Sequence, residues 1–103
     1  MTRRIILRYN KSSRIIKSGG DLQVFIGKFY DNMENVVADI VPHWTIVCDF
    51  SDKLIAKEVG NSLSIGIDDD DFIDEEFRII CSDGNKESNI SPAELIVKIE
   101  SLL

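Results

Sequence analysis

The sequence predicts an α+β domain: a mostly antiparallel sheet of four to six strands, with a long helix after an N-terminal hairpin and a second helix at the C-terminus. Three observations predict it. Short runs of β-branched and aromatic residues recur between polar turns, as strands do. After Gly19-Gly20 the apolar residues take three-and-four spacing for about 20 positions, the period of one helix face. Residues 91–94, Ser-Pro-Ala-Glu, spell a helix start. At 103 residues, 44% of them apolar, the chain is expected to form one domain, 1–103, able to bury a core.

The elements follow in order. "RRIILRY" at 3–9 and "RIIK" at 14–17 flank "NKSS", which suggests a β-hairpin. Leu22, Phe25, Ile26, Phe29, Met33, Val36, Val37 and Ile40 then line one face of a helix that Asp21 would cap and Pro42 would end. Gly27 and the pair Asp31-Asn32 are its weak points, so a break near 31 is allowed. "WTIVCDF" at 44–50 reads as a strand. "SDKLIAKEVGNS" reads either as a helix from Ser51 or as a strand pairing with "LSIGI" at 63–67. The Gly60-Asn61 pair, which suits a hairpin turn, tips the balance to strand. "FRIICS" at 77–82 is another strand, followed by a turn at 83–85. In the last element Ser91 and Glu94 would form a capping box, with Leu95, Ile96, Ile99, Leu102 and Leu103 on the apolar face.

Composition excludes several classes. No apolar run approaches the ~18 residues that span a bilayer. The N-terminus begins like a signal peptide, but its apolar run Ile5-Ile6-Leu7 stops at Arg8, so a cytoplasmic chain with no membrane role is expected. Cys48 and Cys81 each lie in an apolar run and are expected to be buried free thiols, a disulfide requiring neighbouring strands. The formal net charge of −6 disfavours direct nucleic-acid binding.

That charge is segregated. Residues 1–17 carry six bases and no acid, whereas 51–76 carry nine acids and two bases. Seven of those acids fall between 68 and 76: Asp68, Asp69, Asp70, Asp71, Asp74, Glu75 and Glu76, interrupted by Phe72 and Ile73. So dense a run repels itself and exceeds what solubility needs. Apolar anchors among acids suit a partner-facing surface. Asp68, Asp69, Asp70, Asp71, Phe72, Asp74, Glu75 and Glu76 are therefore the candidate binding residues for a basic protein. The run lacks the alternating ligands and central glycine of a calcium loop, so no metal is expected. His43 stands alone, without a nucleophile or a phosphate-cradling glycine loop, so neither catalysis nor a cofactor is expected.

A small acidic protein without catalytic residues suits inhibition of a basic nuclease, whose cationic surface clustered carboxylates can compete for and be steered to. In length, in α+β pattern, in the acidic "DDDDFIDEE" beside "FRIIC", and in the capped "SPAELIVKIESLL", the chain resembles the small immunity proteins of bacterial contact-dependent growth inhibition systems. The resemblance implies binding to a toxin domain, often a nuclease that cleaves tRNA, and carries over no residue roles. Two alternatives stand beside it. One is a phage-type nucleic-acid mimic that blocks a defence nuclease; the other is a non-catalytic adaptor using its basic segment 1–17.

Overall fold

The computed structural model describes residues 4–8, 15–31, 33–37, 40–83 and 92–103, with the backbone alone for 4–8. It is built from strands. Eight are described: β1 (Arg4–Arg8), β2 (Ile15–Lys17), β3 (Gln23–Tyr30), β4 (His43–Val47), β5 (Leu54–Val59), β6 (Ser62–Ile67), β7 (Glu76–Ser82) and β8 (Ala93–Glu100). The helical elements among the described residues are two three-residue 3-10 turns, Ser51–Lys53 and Asp70–Phe72. The α+β expectation is thus corrected to a mostly-β architecture of two four-stranded sheets. One has the order β1-β3-β6-β5 and the other β2-β8-β7-β4. All ladders are antiparallel except β2 with β8.

The helix expected after Asp21 is strand β3. Its inward side is Phe25, Gly27 and Phe29, a period of two, all buried. Partial apolar cover on the outer side, from Leu22 and Ile26, supplied the residues that completed a false helical stripe. The central glycine weakens the helix, and its aromatic and β-branched neighbours favour the strand. The weak point at Asp31 is a real break. Its Oδ1 accepts from the backbone N–H of Met33 (2.8 Å) and Asn35 (2.9 Å), and Glu34 takes φ +65°. The chain then reverses, and Val36 bridges back to Tyr30.

The C-terminal helix is corrected in the same way. In β8 the buried residues are Leu95, Val97 and Ile99, while Glu94, Ile96 and Lys98 are exposed. Ile96, Leu102 and Leu103, assigned to a helical core face, lie in solvent, and Val97, omitted from it, is fully buried. Ser91 lies outside the described residues. The N-terminal hairpin does not form either: β1 pairs with β3 in one sheet and β2 with β8 in the other.

Three expectations hold in the main. "WTIVCDF" supplies β4 as far as Val47, its last three residues leaving the strand, "FRIICS" supplies β7, and "LIAKEV" pairs with "SLSIGI" as a hairpin. Val59 faces Ser62 across a two-residue turn, and Gly60 takes φ +59° at its first central position, where glycine meets no steric penalty.

The sheets pack face to face. Phe25, Leu63, Ile65 and Ile67 from one meet Ile16, Phe77, Ile79, Leu95, Val97 and Ile99 from the other, with Phe50 closing the end. Each fully buried side chain contributes ~1.5–3 kcal/mol relative to exposure. A smaller cluster, Phe29 and Cys81 with Val37, Ile40, Trp44 and Ala93, extends the core to the opposite end.

Candidate functional site

The topology gathers the acids. The chain crosses from β4 to β5 through residues 48–53, and from β6 to β7 through 68–75. Val47 pairs with Arg78 and Leu54 with Ile67, so both crossings lie at the same end of the two sheets. Asp49 and Asp52 therefore join the seven acids of 68–76. These two additions were missed in the sequence, because their placement depends on which strands neighbour each other.

The 68–76 segment is a built loop. Asp69 Oδ1 accepts the backbone N–H of Asp71 at 3.0 Å and so caps the 3-10 turn Asp70–Phe72. Asp70 Oδ1 accepts from Ser18 Oγ at 2.7 Å, and Ser18 is itself 3% exposed. The adjacent Gly19 N–H donates to the Ile67 carbonyl at 2.8 Å, holding the end of β2 against the start of the loop. Phe72 is half-buried, its ring stacked on Phe50 with centroids 4.6 Å apart, and Ile73 packs against the same core. Asp74 takes φ +75° and donates its N–H to the Ile99 carbonyl (2.8 Å). Ile99 N–H in turn reaches the Glu75 carbonyl (3.0 Å), which prolongs the β7–β8 ladder into the loop.

The sequence-predicted site residues thus divide. Asp68, Asp71, Asp74, Glu75 and Glu76 are exposed. Asp70 is exposed as a residue yet spends one carboxylate oxygen on Ser18, and Asp69 is half-buried and spends one on its turn. Phe72 and Ile73 work chiefly inward, as the pins that hold the loop on the core. Ser18 is a structural partner that no motif announced.

Beside the loop runs a groove of about 380 Å³. Phe50, Phe72 and Val47 line it with apolar surface, and Asp49, Asp71, Glu75 and Glu76 contribute carboxylates. Among the described residues none of these four acids forms an ion pair; the pairs seen are Lys17–Glu100 (3.1 Å) and the longer Arg78–Glu94 (3.9 Å). Cys48 also borders the groove. Burial raises its pKa above the ordinary thiol value, partly offset by the Phe50 N–H and reinforced by Asp49 and Asp52, so at neutral pH the thiol is uncharged.

The remaining sequence candidates lie elsewhere. His43 is exposed at the start of the edge strand β4, opposite Ser82. Cys81 is fully buried and pairs in register with Trp44, whereas Cys48 follows Val47, the partner of Arg78. The two cysteines are thus offset by four positions, or ~13 Å along the strands, beyond the ~7 Å reach of a disulfide, and both are free. Among the described residues no group of three or more His, Cys, Asp or Glu side chains is placed to hold a metal ion. Nor is any helix among them long and apolar enough to cross a membrane. Of the basic segment, the side chain of Lys17 is described, in its ion pair with Glu100. In comparison with known proteins, the chain matches no family model and no curated sequence.

Proposed function

We propose that this protein is a non-catalytic, cytoplasmic inhibitor of the immunity type, which binds a basic toxin domain and occludes its cationic surface with the acidic end of the two sheets. A nuclease, the tRNA-cleaving kind above all, is the partner this chemistry suits, because its substrate-binding surface must be cationic. The observation that carries the reading is the construction of the 68–76 loop. An acidic tail kept for solubility needs no pins. Here two apolar side chains, a buried serine and a strand ladder anchor the backbone that carries the exposed carboxylates. A preorganised surface avoids the cost of ordering on binding.

The test is capture from the native host, with wild type and a variant as parallel baits. The variant neutralises Asp68→Asn, Asp71→Asn, Glu75→Gln and Glu76→Gln, which spares the acids that hold the loop together. The reading expects a basic protein on the wild-type bait, little on the variant, and loss of that protein's activity in the complex. A partner held equally by both baits, or one that stays fully active when bound, contradicts it. His43→Ala should leave inhibition unchanged; a folded His43→Ala variant that no longer inhibits would show that the histidine takes part.

A further inference from the structure

The groove between the two crossings has a specific occupant in its chemistry. Its apolar surface is aromatic apart from Val47: Phe72 is half-buried, with its ring stacked on Phe50. Its carboxylates come from two separate segments, Asp49 from the β4–β5 crossing, and Asp71 and Glu75 from the β6–β7 crossing with Glu76 at the start of β7. At about 380 Å³ it lies near the small end of ligand pockets, the size of a side chain and not of a helix. Among the described cations at this end, Arg78 reaches Glu94, Lys98 stands opposite Glu76 in the β7–β8 register without forming an ion pair, and Lys53 closes the β4–β5 crossing, exposed and outside the groove lining.

We propose that this groove is the socket for one arginine side chain of the basic partner. The proposal rests on the inhibitor reading and names the group that the acidic end grips. Charge complementarity selects a cation, and the aromatic surface selects among cations. A planar guanidinium can lie against a ring while its fork of donors meets carboxylates, whereas the ammonium of lysine is compact and strongly hydrated. The acids outside the groove, Asp68 and Asp74 among them, supply long-range attraction and no specificity.

The probe is N-acetyl-arginine amide, titrated into isotope-labelled protein and followed by amide chemical shifts. N-acetyl-lysine amide and the neutral citrulline analogue serve as controls. Saturable shifts should be confined to residues 47–50 and 71–76, roughly threefold to tenfold tighter for arginine than for lysine, and absent for citrulline. Phe72→Leu should erase the preference for arginine over lysine. Because that change also touches the core, Asp49→Asn with Glu76→Gln is the second variant: it alters the exposed rim alone and should weaken arginine binding severalfold. Shifts spread equally over Asp68, Asp69 and Asp70, equal response to lysine, or no localised shift overturns the socket. Its failure is separable from failure of the inhibitor reading. A captured basic partner that responds to Asp68→Asn with Asp74→Asn but not to the groove variant leaves the reading and removes the socket. Localised arginine binding with no basic partner captured does the reverse.

Discussion

Gly27 shows how tightly single residues are fixed. A Cβ there would stand 2.7 Å from Cys81 Sγ and 3.2 Å from Pro42 Cβ, in the interior between the sheets. Gly27→Ala should therefore cost ~1–3 kcal/mol by overpacking, and adding Cys81→Ala should recover part of the loss. Gly66→Ala makes a useful contrast. Its Cβ would run into Leu22 Cδ2, but that atom ends a flexible and partly exposed side chain, so the change should cost little. Denaturant titration of the three variants checks both statements.

Cys81 itself carries a pH signature. Burial pushes its pKa from 9.0 up to about 11. A raised folded-state pKa stabilises the fold fully below the unfolded value, and that stability is lost as pH rises through the folded one. Wild type should lose stability between pH 9 and 11 by more than Cys81→Ala does, as melts across that range would show. Because the thiolate is the nucleophile, alkylation at neutral pH should be slow at Cys48 and slower still at Cys81.

At the scale of elements, β8 separates the observed fold from the one its sequence suggests. A helix over 91–103 would bury Ile96 and leave Val97 outside, whereas the strand does the opposite. Ile99→Ala should cost ~2–5 kcal/mol, as for other buried aliphatic truncations. Ile96→Ala, by contrast, should stay within ~0.5 kcal/mol. Equal sensitivity at 96 and 99 would favour the helix. The strands β4, β6 and β7 were legible because turn residues bound them and their alternation is clean, whereas β5 does not alternate and was legible through the Gly60-Asn61 turn. β3 and β8 were misread for one physical reason. Both are central strands with apolar residues on the outer face as well as the inner, and a two-sided apolar strand can imitate a three-and-four pattern over ten residues. Glu94-Leu95-Ile96-Val97-Lys98-Ile99 does alternate, apart from Ile96, and weighing Val97 would have shown it. The pairing of β1 and β2 with distant strands could not be read at all, since hairpin proximity is local and sheet order is not.

For the whole molecule, the acidic run was legible as charge and illegible as architecture. Sequence placed seven acids together; the two sheets bring Asp49 and Asp52 to the same end and turn Phe72 and Ile73 inward as anchors. Concentrating like charges at one end costs folding stability through self-repulsion, and a field of that kind would steer a cationic partner if one binds there. Neutralising Asp68, Asp71, Glu75 and Glu76 should thus leave the free protein folded, with an unchanged or higher melting midpoint. The measurement that tests the central claim most directly is association kinetics with the captured partner at low and physiological salt, where the Debye length shortens to ~8 Å. Wild-type association should slow steeply with salt, and the four-site variant should be slow and nearly salt-independent. Association rates unmoved by both salt and the four substitutions would contradict that claim.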